Sequence, residues 1–268
     1  MPFSEASDKA LTYAGYLKID ELLRLQQPLS EDPEHDEMLF IIIHQVYELW
    51  FKQIVHEIRK LQQELEAGET TGVLATLKRI LTILKTLVAQ VDVLETMTPI
   101  SFNAFRSRLE SASGFQSAQF REVEFLLGQK NPKVLRHHPP GSPGRARLDA
   151  LIERPALQDS LLRYLVGAGY EIPAEQLERD VREPHEASPG VQRALLELYR
   201  RDPLRQMVCE RLVDLDEGLQ EWRYRHVKMV ERTIGDKTGT GGSSGAAYLR
   251  STLHRPFFPD LWAIRGEL

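Results

Sequence analysis

"HDEMLFIIIHQVYELWFKQIVHEIRKLQQELE", His35 to Glu66, decides the fold class. Leu39, Ile43, Val46, Trp50, Ile54, Ile58, Leu61 and Leu65 recur every three or four positions, the period of an α-helix with one buried face. Pro33 precedes the run and Gly68 follows it, so the spacing predicts one long helix from Pro33 to Glu66. Within it His44 comes directly after four apolar residues, Phe40 to Ile43, where an imidazole has two nitrogens to satisfy. The helix itself offers Glu48, one turn on, as a partner.

The same period returns through most of the chain. A second helix is predicted from Thr71 to Met97, with Leu77, Ile80, Leu84, Leu87 and Val91 on its stripe. Thr98 and Pro99 read as an N-cap with proline at the first helical position, opening a short helix to Leu109. Phe115 to Leu127 follows and ends at Gly128. "HHPPGSPG", His137 to Gly144, is a connecting loop, after which shorter helices are expected at Ala146–Ile152, Leu157–Val166 and Val191–Tyr199. A last long helix runs from Pro203 to Gly235. There is no alternating strand pattern and no internal repeat. The chain reads as all-α, a helical bundle with long core helices in a single domain over residues 1–268.

With 42% hydrophobic and 27% charged residues in 268, the composition is that of an ordinary globular chain. A net charge of −5 argues against a nucleic-acid partner, since a phosphate backbone demands a basic face. No wholly apolar stretch approaches the roughly 20 residues of a membrane span. The opening "MPFSEASDKALTY" lacks the features of a signal peptide, so the expectation is a cytoplasmic protein without a membrane. Cys209 is the only cysteine, which excludes an internal disulfide, a multi-cysteine metal site and the paired-cysteine haem attachment signature.

In the last long helix Leu212, Leu215, Leu219, Trp222, His226 and Met229 share one face, so His226 takes a place where the pattern wants a leucine. Arg223, Arg225, Lys228 and Arg232 are assigned to flanking or solvent faces. Taken singly, His44 and His226 read as core histidines bonded to a carbonyl or a carboxylate. Neither has a second histidine four residues on, and no His-Glu-x-x-His or Glu-x-x-His pair supports a bare metal. A macrocycle that supplies its own nitrogens needs only one axial imidazole, with the second free for the ligand side. Spacing alone cannot say that the two helices face each other. "GDKTGTGGSSGAAY", Gly235 to Tyr248, follows a helix and matches no nucleotide loop; a linker and a lid over a polar ligand both remain open.

Five blocks carry a resemblance: "LTYAGYLKIDELLRLQQPLS" (Leu11 to Ser30), "HDEMLFIIIHQVYELWFKQ" (His35 to Gln53), "SGFQSAQFREVEFLLG" (Ser113 to Gly128), "WRYRHVKMVERTIGDKTGTGGSSG" (Trp222 to Gly245) and "FFPDLWAIR" (Phe257 to Arg265). Together, and in this order, they resemble the tryptophan 2,3-dioxygenases of bacterial type. The less similar region, residues 133–206, would be a variable helical insertion. The resemblance implies a homotetramer, a dimer of dimers, with one haem b per subunit held between helices and active as Fe(II). It implies insertion of both atoms of O2 across the indole C2–C3 bond of L-tryptophan, giving N-formyl-L-kynurenine. His226 would be the axial ligand to the haem iron, and His44 would bond the indole N–H. Phe40 would pack on the indole ring and Arg106 would grip the carboxylate. Thr240, with Ser113 and Gly114 at the haem edge, would complete the contacts. Phe102 stands where some members carry a tyrosine, whose hydroxyl it cannot replace. Tyr13 and Tyr16 would reach a neighbouring subunit's pocket. A haem-binding sensor or carrier without turnover is the alternative.

Overall fold

The computed structural model describes residues 11–235, 237, 239 and 246–268. In chain order the helices are α1 (Tyr13–Leu17), α2 (Ile19–Leu22), α3 (His35–Glu66), α4 (Thr70–Leu94), α5 (Pro99–Arg106) and α6 (Ala118–Leu126). They continue with α7 (Pro143–Ile152), α8 (Leu157–Gly167), α9 (Ala174–Leu177), α10 (Pro189–Arg201), α11 (Pro203–Ile234), α12 (Ala246–Arg250) and α13 (Pro259–Ala263). No strand occurs among the described residues. The expected all-α class is what is found.

The ends of the long helices follow from local chemistry. Asp36 and Glu37 lie in the first turn of α3, where carboxylates oppose the positive end of the helix dipole. Glu37 is buried and accepts the backbone N–H groups of Leu29 (2.7 Å) and Ser30 (3.1 Å), which ties the preceding segment down. Beyond α3 the chain turns through Gly68 at φ +73°, a left-handed conformation that glycine adopts without a Cβ penalty.

Both α3 and α11 pack along α4. Their shared core holds Ile58, Leu61, Leu77, Ile80 and Leu212, each with no exposed surface. Each such side chain contributes roughly 1.5–3 kcal/mol by leaving water. By length and mean hydropathy alone (1.2) α3 could also cross a bilayer; here its apolar stripe lies against α4, α6 and α8. Between themselves α3 and α11 meet through Tyr47, Phe51 and Trp222, with the tryptophan ring 6.2 Å from Tyr47 and 5.8 Å from Phe51. Beside this aromatic contact a cavity opens.

Two buried groups tie peripheral segments to this frame. Asp216 on α11 accepts the N–H groups of Phe257 (2.9 Å) and Phe258 (3.2 Å) and the indole N–H of Trp262 (2.9 Å), docking the C-terminal segment. Lys130 donates through Nζ to the carbonyls of Ile152 (3.1 Å), Arg154 and Val181 (2.8 Å), gathering the loops around α7 and α9.

Candidate active site

The cavity measures about 540 Å³ and is walled by α3, α4, α5, α6, α11 and α12. From α3 come Phe40 and His44, one turn apart, with ring centroids 4.0 Å from each other. The wall from α5 is set by its cap: Thr98 accepts the Ser101 N–H at 3.1 Å and Pro99 starts the helix. That register buries Phe102 and Phe105, whose rings stand 5.8 and 5.5 Å from Phe40, and leaves Arg106 on the cavity wall at the helix end. Ser113 and Gly114 line the cavity where a short 3-10 turn precedes α6. His226 faces it from α11. The two histidines marked by spacing and the further residues implied by the resemblance, on four separate segments, thus line one cavity. Gly239 also reaches the cavity, whereas Thr240 lies outside the described residues. Tyr13 and Tyr16 are not on the wall and are 77% and 71% exposed.

The partner expected for His44 is corrected by the geometry. Its Nδ1 lies 2.7 Å from the Phe40 carbonyl, one turn back, and Glu48 instead accepts the side-chain amide of Gln119 at 2.9 Å. A carbonyl oxygen can only accept, so Nδ1 carries the hydrogen and Nε2 keeps its lone pair. The ring opens onto the cavity, yet desolvation by the surrounding walls holds the His44 pKa below the usual histidine value, with the Phe40 carbonyl and Glu48 pulling the other way. The imidazole is therefore a neutral acceptor.

His226 is neutral for a related reason. Burial, with His44 and then Arg121 nearby, pushes it down to about 4. Its ring lies parallel to that of Trp222, with centroids 5.3 Å apart and planes 4° from each other. No group of three His, Cys, Asp or Glu residues able to hold a bare metal occurs among the described residues. A neutral imidazole on the wall of a largely apolar cavity suits a cofactor that brings its own nitrogens and asks the protein for one axial ligand. The residues present fit such a group.

Sequence reasoning missed the charged part of the wall. Arg223, assigned there to a flanking or solvent face, is buried: it donates to Glu124 (2.9 Å), to the side chain of Gln129 (2.9 Å) and to the Thr252 carbonyl (3.2 Å). Its partners come from α6 and from the segments after α6 and α12, and helical period along α11 carries no information about them. Arg121, also buried, pairs with the other oxygen of Glu124.

A family model described as tryptophan 2,3-dioxygenase matches residues 2–139 and 197–268. The tryptophan 2,3-dioxygenase of Herpetosiphon aurantiacus is 64% identical over 260 residues, 97% of this chain and 99% of that protein. That of Anaeromyxobacter dehalogenans is 64% identical over 265 residues, 98% of each chain. The chain belongs to the tryptophan 2,3-dioxygenase family. A more distant tryptophan 2,3-dioxygenase, from Caulobacter vibrioides, is still 43% identical over 262 residues, 96% of this chain and 98% of that protein. The tryptophan 2,3-dioxygenase family implies a haem cofactor, which is the kind of group that the His226 wall suits.

Proposed function

We propose that this chain inserts both atoms of O2 across the indole C2–C3 bond of L-tryptophan, giving N-formyl-L-kynurenine, and that His226 would hold the iron of a haem. The observation that carries the reading is the pairing of two imidazoles, from α3 and α11, on one largely apolar cavity that also holds Arg106. When bound, haem b, one per subunit and ferrous, supplies the binding and activation of O2.

The chain's own residues then bind and orient. His44 meets the indole N–H through Nε2, the nitrogen that its bond to the Phe40 carbonyl leaves as an acceptor. Phe40 packs on the indole face, with Phe102 and Phe105 behind it. The planar fork of Arg106 matches the substrate carboxylate. Phe102 adds ring surface there but no hydroxyl, so the carboxylate has one donor fewer than in members with tyrosine. Ser113 and Gly114 border the cofactor edge, and the remaining amino-acid contact is assigned to Thr240, which lies outside the described residues. The apolar wall excludes water from the reacting ring.

The assembly we propose is a homotetramer, a dimer of dimers, in which Tyr13 and Tyr16 complete a neighbour's pocket. Their exposure, continued by Leu11 (77%), Leu23 (69%) and Leu25 (60%), is support for this, because an apolar strip of this extent needs a cover. Residues 133–206 form a variable insertion within a single domain, and the setting is cytoplasmic, in keeping with a buried, unpaired Cys209. The test is turnover by haem-loaded, reduced protein under ¹⁸O₂. The expected product is N-formylkynurenine carrying two labelled atoms. Haem binding with no product would instead make the chain a sensor or carrier.

A further inference from the structure

Beside His226 the wall carries a charge that the roles above do not use. Arg121 and Arg223 share a single carboxylate, Glu124: Arg121 pairs with one oxygen, and Arg223 donates to the other at 2.9 Å. All three side chains are nearly buried, at 8%, 5% and 12% exposure. Two guanidinium groups against one carboxylate leave one positive charge uncompensated. The other buried carboxylate on this helix, Glu122, is already taken by Arg59 and Arg147. His137 and His138, which also face Arg121, are imidazoles and supply no anion; burial first and then neighbouring positive charge hold their pKa values down.

Within the cluster the arginines differ. Arg223 is fully occupied, with Glu124, Gln129 and the Thr252 carbonyl as acceptors and its guanidinium 5.0 Å from the Phe257 ring. Arg121 is clamped between the rings of Phe115 (5.5 Å) and Phe120 (5.4 Å), and its buried Nε has no hydrogen-bond partner among the described residues. A buried donor of a charged group is costly to leave unmade, and a buried net charge more so. Arg121 lines the cavity. An anionic group within the cavity removes both costs.

We propose that Arg121 anchors an ionised propionate of the haem macrocycle, and that the net positive charge of the Arg121–Glu124–Arg223 cluster on this wall is felt by the iron. The inference rests on the reading that haem fills this cavity. A carboxylate at this point could also belong to the amino-acid substrate. The position favours the propionate: Arg121 packs on the Phe120 ring, which lies 5.0 Å from Trp222, and Trp222 stacks on His226, whereas Arg106 stands on α5 beside Phe102. Arg121 is a positioning residue with two consequences. It strengthens cofactor binding, and its charge favours the reduced over the oxidised iron.

The test is haemin titration of the apo-protein and an anaerobic redox titration of the haem-loaded protein, for the parent, Arg121→Met and Glu124→Gln. Arg121→Met is expected to weaken haem binding roughly tenfold or more, the scale of one charge-assisted hydrogen bond, and to move the midpoint potential negative. Glu124→Gln leaves two positive charges and is expected to move it positive. Opposite signs follow from charge; a loosened wall would move both variants the same way, and that result overturns the proposal. Arg121→Lys keeps the charge without the fork, and should keep the potential near the parent's even if the methionine variant does not fold. Equal haem affinity and potential in parent and Arg121→Met also overturn it, as does a loss confined to L-tryptophan binding. A parent protein that binds no haem refutes the functional reading itself, which is a different outcome from any of these.

Discussion

Replacing His44 with alanine separates two roles by the size of the loss. The structure argues for a hydrogen-bond acceptor: Nδ1 is committed to the Phe40 carbonyl at 2.7 Å, and desolvation by the cavity walls disfavours the charged ring. A general base would have to take a proton onto Nε2 and become an imidazolium where desolvation disfavours that charge. Losing a neutral hydrogen bond costs about 0.5–1.5 kcal/mol, roughly 2- to 13-fold, whereas losing a general base costs about 10²- to 10⁴-fold. His44→Ala is therefore expected to keep haem and lower kcat/KM for L-tryptophan by about an order of magnitude. The assay is steady-state turnover of L-tryptophan and 1-methyltryptophan by parent and variant, a double cycle. The methyl analogue has no N–H to offer and meets the imidazole sterically, so it should be a poor substrate of the parent and gain relatively from the truncation. A variant inactive towards tryptophan while retaining haem and substrate binding, or an analogue that gains nothing, would refute the acceptor role.

Other perturbations read separate parts of the account. Arg106→Leu should weaken L-tryptophan far more than tryptamine, measured by spectral titration of the haem protein; equal losses would mean that the arginine does not read the carboxylate. Tyr13→Ala with Tyr16→Ala should raise KM for tryptophan while sedimentation shows the assembly intact, and unchanged kinetics would argue against a shared pocket. Asp216→Leu leaves the N–H groups of Phe257, Phe258 and Trp262 without their acceptor. At about 1–3 kcal/mol for each buried donor left unpaired, it should cost about 3 kcal/mol or more. Urea unfolding of the apo-protein checks this, and an unchanged midpoint would contradict the docking role.

The long helices were legible because a buried stripe repeats over many turns. The expected helix from Pro33 to Glu66 is α3 with two extra residues at its start, and the expected Thr71 to Met97 is α4 within a few. Short elements such as α1, α2, α9 and α13 have too few turns for a period to show. At the site, spacing marked His44 and His226 as odd occupants of apolar faces, yet their meeting on one cavity depends on both α3 and α11 packing on α4, which period along one helix does not encode. Glu48 and Arg223 were misread for the same reason. Each takes its partner from another segment, Gln119 and Glu124. The glycine-rich loop reads as linker or lid, and residues 236, 238 and 240–245 of it lie outside the described residues.

The central claim is that His226 is the ligand that fixes haem in the cavity. The most direct measurement is the absorption spectrum of ferrous His226→Gly, prepared anaerobically, with and without added imidazole. The account predicts that the variant loses haem or holds it weakly, and that free imidazole, entering the space left by the side chain, restores the parent's ferrous spectrum. A His226→Gly protein that retains haem tightly with the parent's spectrum in the absence of imidazole would contradict it.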